Sequence, residues 1–274
     1  MRTLDGVRSL QYFNLLRFGA TLLAGVVLAK SGLPPAQIAL YEGWLFFGNL
    51  FTFYWVIGGQ NAVLQLFPGL EPVRRAPFFQ AVWLSWLAFS GGVALLLWLQ
   101  GEALVDRFTR FDRLPALGWL ALFVWWQTPS WLVQAWYLLH ARYRSLLAFA
   151  VASFGLQVVC VALPLWTGAG LEGIFRALVL LAFAKMCWSA WLVFGRQPWR
   201  PWWGGARRWA WAALPLMAHV LVGQSVDFID GLIVSSQMEE RWFAIFRYGA
   251  RELPLSLLLV GAVVTGFIPL VAGQ

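Results

Sequence analysis

Charged residues are scarce in this sequence. Asp, Glu, Lys and Arg together make up 12% of its 274 residues, whereas hydrophobic residues make up 61%. An ordinary soluble domain has roughly 25% charged residues. The mean hydropathy of +0.69 points in the same direction. This composition excludes a typical water-soluble domain and indicates an integral membrane protein.

Cysteine is rare, and phosphate-binding and catalytic motifs are lacking. The two cysteines, Cys160 and Cys187, fall inside apolar segments, so the sequence supports neither a disulfide framework nor a Cys/His metal site. No Gly-rich loop of the kind that cradles phosphate precedes a helix, and no nucleophile has an adjacent base. We therefore expect a transport protein and not an enzyme. We expect no resident cofactor, although a proton or a sodium ion could act as the coupling ion.

What the sequence has instead is a series of long apolar segments. About 20 mostly apolar residues are needed for a helix to cross roughly 30 Å of hydrocarbon. The segments predict an all-α polytopic membrane protein, and the N-terminus has no cleavable signal peptide, so the first segment is expected to stay as a span. Eight spans are predicted, at about 11–29, 38–67, 77–99, 116–139, 145–166, 172–195, 209–236 and 242–271.

Basic residues outnumber acidic ones by 20 to 12, which gives a net charge of +8. They are dispersed between the apolar segments and do not form one stripe, so nucleic acid is not an expected partner. If the N-terminus is inside, most arginines fall on the inner side of the eight spans. This bias predicts a multi-pass protein of the cell inner (cytoplasmic) membrane with a cytoplasmic N-terminus. The Trp- and Arg-rich segment 197–208 is expected to lie on the cytoplasmic surface as an interfacial linker.

Some charged and polar residues lie inside the predicted spans, where ionisable groups are costly and often mark a binding site. Arg17 lies about two turns into the first span, so it could either snorkel to the interface or face a cavity. Lys185 lies near the middle of the sixth span, too deep for snorkelling, and is expected to face the interior. Asn49 and Gln60 share a face of the second span and fit helix packing as well as ligand contact.

The last two predicted spans carry the other candidate residues. Asp227 and Asp230 fall on one polar face of the seventh span, which we expect to line an aqueous cavity. In the eighth span, Arg247 and Arg251 are four residues apart and share a face, with Glu252 beside them. Pro254 follows, and helices interrupted in this way often border transporter sites.

Two stretches resemble a known family. They read LLRFGATLLAGVVLAKSGLPPAQIALYEGWLFFGNLFTFYWVIGGQNAVLQLFP and LPLMAHVLVGQSVDFIDGLIVSSQMEERWFAIFRYGARELPLSLLLVGAVVTGFIPLV. They are similar to helices one and two, and seven and eight, of bacterial polysaccharide flippases of the multidrug/oligosaccharidyl-lipid/polysaccharide (MOP) exporter superfamily. The aspartate of FID, the FAIFRYGA segment and the final Pro belong to the likeness. Together the two stretches cover somewhat under half of the chain.

The resemblance implies two six-helix lobes with alternating access around a central cationic cavity. It divides the chain into a six-helix lobe (1–196), the linker (197–208) and the first two helices of a second lobe (209–274). On this basis we expect a C-terminally truncated fragment, the alternative being eight helices that work as a subunit of an oligomer. The family's substrate would be a polyprenyl-pyrophosphate-linked oligosaccharide for surface polysaccharide biosynthesis, with polysaccharide-assembly proteins as further partners.

The resemblance leaves alternatives open. A cation-coupled multidrug antiporter of the same superfamily would use the acidic residues, so a cavity richer in Arg and Lys than in Asp and Glu favours the glycan-lipid flippase. A membrane-embedded glycan-processing enzyme would need catalytic groups in a loop, and the loops here are short. The substrate-binding cavity is expected to contain the nine residues named above: Arg17, Asn49, Gln60, Lys185, Asp227, Asp230, Arg247, Arg251 and Glu252.

Overall fold

The computed structural model of the protein describes residues 2–109, 114–195, 197–238, 242–243 and 245–246. Regular structure in these residues is entirely helical, which confirms the predicted all-α class. A 3-10 turn, Phe67–Gly69, precedes α4. The helices are α1 (Arg2–Lys30), α2 (Pro35–Leu50), α3 (Phe53–Leu66), α4 (Pro72–Phe108), α5 (Leu117–Ser130), α6 (Leu132–Leu139), α7 (Tyr143–Trp166), α8 (Gly170–Phe194) and α9 (Trp203–Gln237).

Several of these helices are suited to a membrane. Four are long and apolar enough to cross one: Gly6–Lys30 within α1, and all of α4, α7 and α8. A fifth span is reached if the two parts of α9, which are bent by 53° relative to each other, count as one. The chain is therefore a membrane-embedded helical protein. The predicted count of eight spans is not confirmed, and the eighth, 242–271, lies almost wholly outside the described residues.

The second and fourth predicted spans are each divided into two helices. The second breaks between α2 and α3 at Thr52. The Thr52 hydroxyl donates to the Gly48 carbonyl at 3.1 Å and so competes with the backbone hydrogen bond that this carbonyl accepts in a regular helix. The fourth breaks at Trp131, just after Pro129, a residue that lacks a backbone donor and crowds the preceding turn. The resulting helices have between 8 and 16 residues. Each is shorter than a membrane-crossing helix needs to be.

Proline and glycine mark helix boundaries. Pro35 and Pro72 stand in the first turn of α2 and α4, where a missing backbone N–H has no consequence. Gly32 and Gly168 have φ of +75° and +74° and let the chain turn after α1 and α7. Helices α2, α4 and α9 begin a few residues before the predicted spans at 38, 77 and 209.

The helices pack as a series of neighbours. α1 contacts α7, α7 contacts α8, α8 contacts α5, α5 contacts α4, and α9 lies against both α3 and α4. Aromatic rings fill much of the interior: Trp44 of α2 stacks on Phe175 of α8 with ring centroids 4.6 Å apart. Trp86 of α4 is fully buried near Trp209 of α9. This packing fixes the positions of α1, α2, α5, α7 and α8 around a common space.

Helices α3 and α9 approach each other very closely at two glycines. A Cβ atom on Gly58 would lie 2.7 Å from the backbone N and Cα of Met217. One residue further, the Gly59 carbonyl accepts a hydrogen bond from the indole of Trp209 at 3.0 Å. Small residues at a helix interface allow backbones to come this close. The remaining surface of α9 carries His219, which is exposed.

The predicted interfacial linker, 197–208, is partly helical because α9 already begins at Trp203. Its first part is tied to the start of α4. The Gln80 side chain donates to the Pro198 carbonyl at 3.0 Å and accepts from the Arg200 N–H at 2.9 Å. The Arg74 guanidinium lies over the Trp202 ring, 5.1 Å from its centroid. The linker and the start of α4 therefore lie at the same end of the bundle.

The connection between α6 and α7 lies at this end too. The His140 ring stacks on Trp136 and lies 5.6 Å from the ring of Phe67, which precedes α4. Partial burial among these rings is the main cause that lowers the pKa of His140 below its ordinary value of 6.5. The hydrogen bond to the Trp136 carbonyl opposes this shift, whereas the positive charges of Arg142 and Arg75 add to it.

Candidate functional site

A cavity of about 330 Å³ lies among five helices, α1, α2, α5, α7 and α8. We call it the five-helix cavity. Its size falls in the range of small-molecule sites, which begins at about 300 Å³. It differs from the surrounding apolar core because polar side chains from every one of these helices border it. They are Arg17, Thr21, Tyr41, Glu42, Asn49, Gln127, Gln157 and Lys185.

Arg17 contacts Trp131 at the edge of the cavity, and Trp131 is in turn hydrogen-bonded to Gln60. Its guanidinium lies over the Trp131 ring, 5.6 Å from the centroid, within the range of a cation–π interaction. The Trp131 carbonyl accepts a hydrogen bond from the amide of Gln60 at 2.5 Å. Thr21, one turn further along α1, donates to the Arg17 carbonyl at 3.0 Å. Arg17 thus borders the five-helix cavity while remaining exposed.

Lys185 approaches the same cavity from α8 and is half-buried. It also borders a small void of about 20 Å³ that Gln127 and Trp131 line from the other side. The five-helix cavity thus has one cation contributed by the first helix and one by the eighth. Lys185 is the more buried of the two and Arg17 remains exposed, and two cations at one cavity favour a bound anion through charge-assisted hydrogen bonds.

The neutral side chains of the cavity add hydrogen-bonding capacity. The Oε1 atom of Gln127 is buried and has no hydrogen-bond partner within the part of the chain that the structure describes. An unpaired buried amide oxygen is costly, so this side chain suits a ligand that completes its bonding. Because the amide can turn by 180°, it can present either its oxygen or its NH₂ group to that ligand.

Some residues of the cavity were missed by sequence reasoning. Glu42 is 2% exposed and borders the cavity from α2, and Gln127 and Gln157 do so from α5 and α7. One signal was available for all three, because each is a polar residue inside a predicted apolar span. The periodicity of one helix does not show which of its faces meets another helix. The sequence therefore did not predict that these three residues lie at the same cavity.

The structure brings together three of the predicted site residues, Arg17, Asn49 and Lys185, which all line the five-helix cavity. Gln60 lies outside it and bonds to Trp131, so its described role is packing. Asp230 is exposed on α9 and does not border the cavity. The Asp227 side chain, together with Arg247, Arg251 and Glu252, lies outside the residues that the structure describes.

The polar face predicted for the seventh span is exposed where it is described. His219, Gln224, Asp230 and Gln237 are all accessible, whereas Met217 on the other side of α9 is buried against α3. The helix packs an apolar stripe against the bundle, and its exposed surface carries these polar residues together with apolar ones such as Val222 and Ile233. This arrangement leaves the polar face outside the five-helix cavity.

The charged groups that border the cavity set what it can bind. Among the described residues they are one guanidinium, one ammonium and one carboxylate, and the Thr21 hydroxyl is engaged with a backbone carbonyl. Among the described residues no group of three His, Cys, Asp or Glu side chains could hold a metal ion. Guanidinium, ammonium and amide donors together are suited to phosphate-type anions.

Comparison with protein-family models, with curated protein sequences and with solved structures found no match to this chain. The likeness to MOP flippases therefore rests on the two sequence stretches quoted above. The class that the structure defines is a membrane-embedded helical protein with a polar cavity inside its bundle.

Proposed function

We propose that this chain acts as a flippase for a polyprenyl-pyrophosphate-linked oligosaccharide, moving it across the cytoplasmic membrane for surface polysaccharide biosynthesis. The observation that carries the proposal is that Arg17 and Lys185, far apart in sequence, border one cavity. Among the residues that the structure describes, Glu42 is the acidic one that borders the cavity, so the cations there outnumber the anions. That excess favours an anionic lipid head over a cationic drug.

The size of the five-helix cavity specifies which part of the substrate it would hold. A volume of about 330 Å³ suits a pyrophosphate with its first sugar and is too small for a whole oligosaccharide. Arg17 would bind the pyrophosphate through its planar donor fork and Lys185 through its point charge. The amides of Asn49, Gln127 and Gln157 would complete the hydrogen bonds.

Alternating access would follow from such binding. A ligand moves a two-state protein only if it binds the two states with different affinity. Arg17 and Lys185 belong to different helices, so an anion between them would stabilise one separation of α1 and α8 over another. The finer architecture belongs to this proposal: eight spans, of which the first six form one lobe (1–196) and 209–274 begins a second.

The proposed orientation has a cytoplasmic N-terminus. It is supported by the concentration of arginines at one end of the bundle, where the start of α4, the α6–α7 connection and the linker come together. Three of them lie over aromatic rings: Arg74 over Trp202, Arg75 over Phe67, and Arg142 over Trp136. Arginine and tryptophan both suit the headgroup level of an anionic inner leaflet.

A transport assay tests the proposal. Purified protein in vesicles would be given a fluorescent polyprenyl-pyrophosphate disaccharide, and its movement between leaflets would be followed with an impermeant quencher. Arg17→Gln and Lys185→Met remove the charge and keep unbranched side chains, which are shorter than the native ones. Each should slow flipping about tenfold or more, since a charge-assisted hydrogen bond contributes about 1.5–3 kcal/mol and 1.4 kcal/mol is a factor of ten.

The matched control is Lys30→Ala, which removes an exposed cation at the end of α1 and outside the cavity. It should flip the lipid at the wild-type rate. Wild-type rates in both cavity variants, at equal protein levels in the vesicles, would contradict the proposal. The alternative, a cation-coupled antiporter, rests on the buried Glu42. It would be favoured if Glu42→Gln abolished export of a cationic dye that wild-type protein carries.

A further inference from the structure

A groove of about 610 Å³ lies between α7 and α8, on the opposite side of these helices from the centre of the five-helix cavity. We call it the α7–α8 groove. Small side chains leave space along it, and large exposed apolar side chains flank that space. The residues that shape it are Ala148, Ala152, Ala184, Leu156, Trp188 and Trp191.

The dimensions of the groove fit a hydrocarbon chain that lies along it. It extends along α7 from Arg142, just before the helix begins, to Leu156. At 1.5 Å per residue this part of the chain measures roughly 20 Å. One leaflet of a bilayer has about 15 Å of hydrocarbon, half of the roughly 30 Å core. The groove can therefore accommodate a chain from the headgroup level to the middle of the membrane.

The deep end of the groove lies against the five-helix cavity. Lys185 borders the groove, the cavity and the 20 Å³ void beside them. Ser153 and Phe149 line both the groove and the void, and Gln127 lines both the void and the cavity. A wall about one side chain thick therefore separates the apolar surface groove from the cavity, and the ammonium group of Lys185 belongs to that wall.

We propose that the α7–α8 groove binds the isoprenoid chain of the lipid carrier while the pyrophosphate lies beside Lys185 in the five-helix cavity. This inference rests on the proposed function and adds the place where the substrate's chain leaves the protein. An amphiphile with an anionic head and a long apolar chain matches a cationic cavity that lies one side chain away from an apolar groove. The chain stays in an apolar environment throughout, and only the head needs polar contacts.

Charge placement distinguishes this occupant from a bilayer phospholipid. A phospholipid would place its head at the interfacial end of the groove, where Arg142 lies over the Trp136 ring. It would make no use of Lys185 at the deep end or of the void beside it. The carrier uses both, because its head is the group that enters the cavity.

Binding to the full chain in phosphatidylcholine nanodiscs tests the inference with two probes, inorganic pyrophosphate and a long-chain isoprenyl pyrophosphate. Ala152→Trp fills the groove. Val151→Trp is its matched control, since Val151 is the adjacent residue of α7, is 58% exposed and lies outside the groove. We expect Ala152→Trp to weaken binding of the isoprenyl probe about tenfold and to leave inorganic pyrophosphate unchanged. Val151→Trp should affect neither probe.

The possible outcomes separate the two proposals. Equal isoprenyl affinity in Ala152→Trp and Val151→Trp would overturn the groove assignment and leave the cavity assignment standing. Undiminished binding of both probes by Arg17→Gln would instead overturn the cavity assignment on which the proposed function depends. A photoreactive isoprenyl chain gives a second measurement that needs no variant. Cross-links to the peptides around Ala152 and Trp188 support the groove, whereas cross-links elsewhere, or their loss to excess phosphatidylglycerol, contradict it.

Discussion

Replacement of Gly58 by alanine is expected to separate α3 from α9. The added Cβ would lie 2.7 Å from the Met217 N and Cα atoms, whereas non-bonded carbon atoms normally stay about 3.5–4.0 Å apart. The two helices would have to move apart by roughly 1 Å. Overpacking of this kind typically costs about 1–3 kcal/mol. Alanine in a helix regains up to about 1 kcal/mol relative to glycine, so the net loss is smaller than the clash alone.

Gly155→Ala provides the control that isolates the clash. Gly155 lies in α7, and a Cβ there would meet nothing within 4 Å. This variant should be as stable as the wild type or slightly more stable, because it gains helix propensity without steric conflict. Thermal unfolding of both variants, in one detergent and at one scan rate, should place Gly58→Ala below Gly155→Ala. The difference should be roughly 5 °C, at about 2–4 °C per kcal/mol for a chain of this size.

A second substitution at Met217 tests the geometric reasoning itself. The close atoms belong to the Met217 backbone as well as to its side chain, so Met217→Ala should not restore the stability of Gly58→Ala. Full rescue would show that the flexible side chain yields and that the backbones are not in close contact. Equal melting temperatures of Gly58→Ala and Gly155→Ala would refute the close approach of α3 and α9 altogether.

Two further predictions concern buried and interfacial polar groups. Ser189→Ala should lower the free energy of unfolding by about 1–3 kcal/mol, because the hydroxyl of this buried residue accepts from the Trp83 indole at 2.9 Å and its loss leaves that donor unpaired. The control in thermal unfolding is Ser85→Ala, which removes only a local hydrogen bond within α4. His140 should titrate below its ordinary pKa of 6.5, as read from the one histidine NMR signal that remains in a His219→Gln background. Because the pKa of His140 is lower in the folded state than in the unfolded state, its contribution to stability is present above pH 6.5 and is lost as the pH falls from 6.5 through the folded-state pKa. A titration midpoint at or above 6.5 would contradict the burial of His140 among aromatic rings.

The part of the fold that the sequence predicts is the part set by composition and local signals. Scarcity of charge indicates a membrane protein, long apolar runs indicate helices, and Pro35 and Pro72 mark helix starts where the structure has them. Arg17 and Lys185 could be singled out because an ionisable group inside an apolar run is costly wherever it faces. That they border one cavity depends on how α1 and α8 pack, and no single-helix pattern contains this information.

The two predicted spans that break into separate helices show what a single-helix pattern leaves out. Asn49 and Gln60 share a face if the second span is one straight helix. The helix is instead interrupted between Leu50 and Phe53, where hydroxyl bonding from Thr52 back to Gly48 competes with the regular backbone hydrogen bonds. Asn49 then lines the cavity, whereas Gln60 turns to Trp131. An apolar run reads as continuous even where a buried hydroxyl interrupts it.

The break at Trp131 also contributes to the candidate site. The chain stops following α5 just after Pro129, and the Trp131 carbonyl at the break accepts the hydrogen bond from Gln60. The same bond holds the Trp131 ring in the position that Arg17 covers. The Trp131 carbonyl also accepts from the Gln134 N–H at 3.3 Å, so it serves α6 and Gln60 together. The break between α5 and α6 is therefore the point at which α3, through Gln60, and α1, through Arg17, both contact Trp131.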